Sequence, residues 1–185
     1  MKITEFQGEY RFLSNFWPCD ITIVGVSYKS VEAAYQASKT TDLETRRGFS
    51  TVTPARAKAM GRGLAMRDGW GDMTKVECME CCLRAKFLIP EMKYALIATG
   101  DAELIEGNNW NDRFWGVCRG SGRNVLGKLL MMLRDELILH EAYYQSQATP
   151  ADEICEHLHV DPNGGDVIND QDKPRTFTCY DDIPF

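Results

Sequence analysis

The chain has 185 residues, 44% hydrophobic, with 21 Lys and Arg against 27 Asp and Glu, which allows one domain with a real core and at most one appendage. No apolar run approaches the roughly 20 residues that span a bilayer. The N-terminus MKITEFQGEY lacks the basic-then-apolar pattern of a leader, so a cytoplasmic protein with no membrane partner is expected. All three histidines (His140, His157, His159) lie at residue 140 or later, which argues against Ser-His-Asp catalysis and HExxH zinc sites in residues 1–139.

The net charge of −6 is unevenly spread: residues 1–139 hold 19 Lys and Arg against 17 Asp and Glu, whereas residues 140–185 hold 2 against 10. A slightly basic body is compatible with a phosphorylated ligand or nucleic acid without arguing for either. The seven cysteines are odd in number and include the adjacent pair Cys81-Cys82, which reads as reduced thiols.

In chain order, Met1–Ser14 and Asp20–Lys29 alternate loosely and predict short antiparallel strands, with Gly25 at a turn or bulge. Between them, RFLSNFWP surrounds Ser14-Asn15 with Phe12, Phe16 and Trp17, either as a lid on the core or as a pocket for a flat ligand that Asn15 reads. Next comes SVEAAYQASK, in which Glu32, Tyr35, Gln36 and Lys39 stand at i, i+3, i+4 and i+7 and so share one face of a helix capped by Ser30. A solvated face carrying a Glu/Lys pair would have the same spacing.

Asp42–Phe49 reads as helical, and Thr53-Pro54 as a cap followed by proline, opening a basic stretch with Arg56, Lys58, Arg62 and Arg67 that suits phosphate steering or a solvated face. Asp72 is expected to cap a helix through Phe87 with Val76, Met79, Leu83 and Phe87 at core spacing; Cys78, Cys81 and Cys82 within it read as buried small side chains rather than zinc ligands. Pro90 opens a further helix that stops at Thr99-Gly100.

EGNNWNDRFWG, Glu106–Gly116, crowds amides, acids and indoles into one aperiodic segment, the composition a ligand pocket requires. GRNVLGK then matches G-x-x-x-x-G-K but has Leu129 where an NTPase needs Ser or Thr. Asn124 is expected to cap the helix whose stripe is Leu126, Leu130, Leu133 and Leu137; a helix start preceded by glycines can receive a phosphate, which puts Asn124 among the substrate contacts.

RFLSNFWP, SVEAAYQASK, Trp70, the RAKF of Arg84–Phe87, EGNNWNDRFWG and GRNVLGKLLMMLR stand in order, and with them residues 6–139 resemble the NADAR or YbiA-like family. The resemblance implies an α+β fold: a compact, mostly helical single domain with a small antiparallel sheet over residues 1–139, followed by an acidic extension over 140–185. It also implies an N-glycosidase that cleaves a ribose C1′–N bond, with ADP-ribosylated guanine in nucleic acid or a ribosylamine phosphate of riboflavin synthesis as substrate. A module that binds ADP-ribose or NAD without turnover is the alternative.

Such cleavage builds oxocarbenium-like charge that a carboxylate stabilises, and the departing nitrogen needs an acid. Where the ribose hangs on an exocyclic amine, a lysine can instead displace the nitrogen through a Schiff base. Lys39 is the candidate nucleophile, as the resemblance also suggests. Glu32 is its proton shuttle, and Asp112 with Glu106 orients ribose hydroxyls or water. Trp70, Trp110 and Trp115 supply stacking or wall, Tyr35 and Gln36 line the same wall, and Asn15 and Asn108 give polar readout; no metal or cofactor is required.

In the extension, a short helix at Pro150–His157 and a connector are expected. The terminal Asp181-Asp182-Ile183-Pro184-Phe185 resembles the acidic tip of bacterial single-stranded-DNA-binding proteins, which implies docking to DNA-repair or replication proteins.

Overall fold

The computed structural model describes residues 1–147, so the expected helix at Pro150–His157 and the Asp181–Phe185 tip lie outside the described residues. Residues Met1–Ile138 form one unit, and Leu139 begins another. No described helix is long and apolar enough to cross a membrane.

Three two-stranded ribbons and six α-helices build the described chain, so the fold is α+β with helix dominant. β2 (Ile21–Ile23) and β3 (Val26–Tyr28) make an antiparallel hairpin that turns through Val24 and Gly25, both at positive φ. Ile21, Ile23, Val26 and Tyr28 point inward, while Thr22 and Ser27 pair hydroxyls outward at 3.0 Å, as a half-buried strand requires. The other ribbons are parallel: β1 (Lys2–Ile3) with β4 (Glu103–Leu104), and β5 (Gly107–Asn108) with β6 (Val117–Cys118). The antiparallel expectation therefore holds only for the hairpin; Lys2–Ile3 finds its partner across the fold, beyond the reach of any local pattern.

Helix starts follow local chemistry. Ser30, Asp42 and Thr53 accept backbone N–H bonds at the starts of α1 (Val31–Ala37), α2 (Leu43–Arg47) and α3 (Pro54–Gly61). At α4 (Asp72–Phe87), Gly71 is the cap, and Asp72 is the first helical residue, its carboxylate turned to Lys75 and Arg123. α5 (Pro90–Ile97) is followed by Gly100 at φ 60°. α6 (Val125–Gln147) runs ten residues past Leu137, the last of the expected stripe, with no glycine or proline to stop it, and Leu137 itself is only half-buried.

α1 is buried along its whole length and packs on α3 and α4. The α1–α3 approach needs Gly61, because a Cβ there would stand 1.8 Å from Gln36 Oε1. Lys86 on α4, fully buried, donates through Nζ to the carbonyls of Phe12 and Ser14 and so fixes the RFLSN loop. Burial lowers its amine to about 8, the nearby Cys19 opposing.

Candidate active site

Burial of α1 removes the solvated-face reading: Glu32, Tyr35 and Gln36 are each 6% exposed. The helix ends at Ala37 with Ser38 as its C-cap, so Lys39 is not a fourth member of the helical face. It follows in a tightened turn, its N–H donating to the Gln36 carbonyl at 3.3 Å, and its half-buried side chain reaches α3, where Nζ donates to the Gly61 carbonyl at 3.2 Å. Gln36 Nε2 donates to Glu32 Oε1 at 2.9 Å.

Burial pushes the Glu32 carboxyl above its ordinary range, against the Gln36 bond and the attraction of Lys58 and Lys39, with Asp112 adding to the rise. Burial lowers the Lys39 amine against the pull of Glu32, and the like charges of Lys75 and Lys58 lower it further. Both changes favour the neutral forms: an amine that can attack and an acid that can give a proton.

The Glu106–Gly116 segment closes on itself. Asn108 Nδ2 donates to the Asp112 carbonyl at 2.7 Å and Asn108 Oδ1 accepts from the Asp112 N–H at 3.0 Å. Asp112 Oδ1 in turn accepts from the N–H groups of Phe114 and Trp115 at 3.1 and 2.9 Å. Gly116 allows the return pass, since a Cβ there would meet the Glu106 carbonyl at 2.2 Å. Glu106 is partly exposed as a residue, yet its Oε2 is sealed from solvent with no hydrogen-bond partner. Burial, then the negative charge of Asp112 and that of Glu32, carries this carboxyl up to about 8, with Lys58 opposing.

Glu32 thus links the two sides of the site: its charge and that of Lys39 act on each other, and it also interacts with Asp112 and Glu106, while Lys58 acts on Glu32, Lys39 and Glu106. An aromatic wall stands beside them: Tyr35 meets Trp70 at 5.9 Å and Trp115 edge-on at 5.5 Å between ring centres. A half-buried amine of lowered basicity, two carboxyls pushed upward by burial and an aromatic wall are the groups that attack on a sugar carbon and protonation of a leaving nitrogen require.

A family model described as NADAR domain matches residues 4–138. The chain belongs to the NADAR domain family. N-glycosidase YbiA of Escherichia coli strain K12 is 36% identical over 138 residues, covering 72% of this chain and 85% of that one. The solved NMR structure of the E. coli protein YbiA shares the fold at TM-score 0.67 and 33% identity, covering 77% of this chain and 86% of that one. A riboflavin biosynthesis protein of Vibrio vulnificus is 40% identical over 139 residues, covering 72% of this chain; the chain spans only 37% of that relative's length.

Within this NADAR fold the structure gathers Glu32, Lys39, Glu106, Asp112, Tyr35, Trp70 and Trp115, and it gives other expected contacts different surroundings. Asn15 is buried with Nδ2 on the Met79 sulfur at 3.3 Å and Oδ1 unpartnered, and its carbonyl receives the Glu32 N–H at 3.0 Å. Asn108 is occupied by Asp112. Asn124, at φ 51°, does not use its side chain on its own helix: Oδ1 accepts from Glu106 N–H at 3.0 Å and Nδ2 donates to the Leu104 carbonyl at 2.8 Å. Trp110 is 57% exposed and makes no ring contact among the described residues.

Lys58 is the site residue that sequence reasoning left in the basic stretch. Its Nζ lies 5.5 Å from the centre of the Phe16 ring, and its charge acts on both carboxyls and on Lys39. The signal in the sequence was the pair Ala57 and Gly61, small residues four apart that mark the buried seam of α3 beside it.

Proposed function

We propose that this chain is an N-glycosidase hydrolysing a ribose C1′–N bond, most specifically one that removes ADP-ribose from guanine bases of nucleic acid through a Schiff base on Lys39. The observation that supports it is a half-buried amine whose basicity burial depresses, beside Glu32, whose carboxyl burial pushes upward and which in turn acts on Glu106, a carboxyl carried up to about 8. The names of the YbiA relatives support N-glycosidase chemistry.

In the proposed sequence the nitrogen lone pair opens the ribose ring as O4′ takes a proton from Glu32, leaving an imine at C1′ and Glu32 as a carboxylate. The neutral Lys39 amine adds to that carbon. Glu106 protonates the departing nitrogen, and C1′ is left as an iminium on Lys39. Water, its proton accepted by a carboxylate among Glu32 and Asp112, adds to C1′ and releases Lys39; the aldehyde then closes to free ribose. The sum is one water consumed and one C–N bond exchanged for C–O. The charge of Lys58, which acts on Glu32 and Glu106, stabilises the carboxylates that form along the way.

The test is incubation with ADP-ribosylated guanine DNA and, separately, with a ribosylamine phosphate of riboflavin synthesis. Release of free ADP-ribose, and a borohydride-trapped adduct on Lys39, are expected from the first. Hydrolysis of only the second moves the substrate to the small sugar phosphate, a reading favoured by the 40% identity to a riboflavin biosynthesis protein. Thermal stabilisation by ADP-ribose without release from either substrate makes the chain a binding module. We also propose that Asp181–Phe185 docks DNA-repair or replication proteins; deletion of Phe185 is expected to abolish that binding.

A further inference from the structure

The aromatic wall does not stop at the reacting groups. From Tyr35 it continues through Trp115 to Phe114, edge-on at 4.8 Å, and Phe114 carries two cations: Arg123 with its guanidinium carbon 4.6 Å from the ring centre and Lys75 with its ammonium at 5.8 Å. At the other end Arg67 lies 5.7 Å from the ring centre of Trp70. Four rings therefore follow one another by contact, Trp70, Tyr35, Trp115 and Phe114, with cations at both ends: Arg67 at Trp70, and Arg123 and Lys75 at Phe114.

The outer end is solvent-facing and needs another explanation than stability. Asp72 alone bridges both cations, to Arg123 Nη1 at 2.9 Å and Lys75 Nζ at 3.3 Å, with Asp72 and Arg123 more than half exposed. Exposed pairs of this kind contribute little to folding. One carboxylate shared by two cations leaves a positive charge uncompensated and holds both groups over the ring. Partly exposed rings with cations beside them are the equipment of sequence-tolerant single-strand binding, in which bases stack and phosphates follow the cations.

We propose that Phe114, Arg123 and Lys75 form a track for single-stranded nucleic acid that receives the nucleotide adjoining the modified base. The track rests on the nucleic-acid arm of the proposed function and goes beyond it by naming where the strand runs. It also requires the modified base to be presented unpaired, because a duplex would hold the neighbouring base in its own stack.

Fluorescence anisotropy of the full chain with an unmodified, labelled ten-residue oligodeoxythymidine tests the track without requiring turnover. Wild type is expected to bind, with affinity falling as salt rises. Arg123→Ala is expected to weaken binding by about three- to tenfold with unchanged thermal unfolding, and Phe114→Leu by a similar factor. Equal binding by wild type and Arg123→Ala overturns the track, as does no binding by wild type. Retained oligonucleotide binding with lost ADP binding in Arg123→Ala also overturns it, giving the patch to the ADP arm of the substrate. The two readings fail separately: strand binding without any cleavage removes the glycosidase and leaves the track, whereas cleavage unaffected by Arg123→Ala at limiting oligonucleotide does the reverse.

Discussion

α1 and the Glu106–Gly116 segment each deliver an acid to the same site, and they do so by opposite means. In α1 the helix, the Ser30 cap and the Asn15 carbonyl satisfy the backbone, so the side chains of Glu32, Tyr35 and Gln36 are not spent on it even though the helix is buried. In the segment the backbone has only two residues of strand pairing on each side, and side chains must complete it: Asn108 and Asp112 bond the segment's own peptide groups, and Asn124 bonds those of Leu104 and Glu106. Polar residues on a buried helix are thus available for chemistry, whereas polar richness in a loop is divided between chemistry and holding the loop's shape. Glu106 is the exception within its segment, with a sealed oxygen that no neighbour satisfies.

The largest effect tests the turn that follows α1. Lys39→Ala is expected to lower turnover by about a thousandfold or more and to abolish borohydride trapping, because no other amine occupies the reacting position in the proposed scheme. Single-turnover release of ADP-ribose measures it. Activity retained within tenfold would leave hydrolysis to the carboxyls alone.

The loop side is tested next by Glu106→Gln, which keeps the shape and removes the proton. A loss of about a hundredfold or more in kcat is expected, with KM little changed. In wild type the same group requires activity to fall as pH rises through about 8, where Glu106 gives up its proton. The stability consequence has the opposite sign for the variant. A carboxyl whose folded pKa is raised binds more protons in the folded state than in the unfolded between its ordinary range and about 8, so stability falls as pH rises across that window. Glu106→Gln removes that loss and is expected to melt higher than wild type above pH 8 while being the poorer catalyst.

The same contrast explains what the sequence revealed. Caps at Ser30, Asp42 and Thr53 are decided within three residues; Ser30 and Thr53 were read as caps, whereas Asp42 was counted into its helix and Asp72 was read as the cap that Gly71 provides. Glu32, Tyr35 and Gln36 were legible as a set because helical spacing is local; their burial was not, since it depends on Gly61 admitting α3. Lys39 was placed on the helix by counting, whereas the chain leaves the helix at Ser38 and the amine finds its acceptor on α3. Asn124 shows the limit most clearly: its position suits a cap, but its amide is claimed by backbone twenty residues earlier, which no local spacing encodes. Lys58 looked like one more exposed base because only its neighbours' small size reveals the seam it borders.

Asn124→Ala sharpens the comparison as a pure loss of loop support. It leaves the Glu106 N–H and the Leu104 carbonyl without their partner and puts alanine at a positive φ that asparagine tolerates better. A destabilisation of about 2–4 kcal/mol in urea unfolding is expected. Asn124→Asp, which retains an acceptor for Glu106 and loses the donor to Leu104, is expected to cost less than alanine.

The smallest expected change separates architecture from chemistry inside one segment. Trp110 and Trp115 are five residues apart, yet Trp115 is wedged between Tyr35 and Phe114 while Trp110 is 57% exposed and makes no ring contact among the described residues. Trp110→Ala is therefore expected to leave the melting temperature within about 2 °C, since exposed positions away from packing move stability by about 0.5 kcal/mol or less. If its indole stacks on substrate, KM rises by roughly three- to tenfold with kcat unchanged, the signature of binding shared by ground and transition states. An unchanged KM would take Trp110 out of the site and leave Trp70 and Trp115 as its wall. Trp115→Ala has no such separation: it removes the ring that joins Tyr35 to Phe114, so stability and KM are expected to move together.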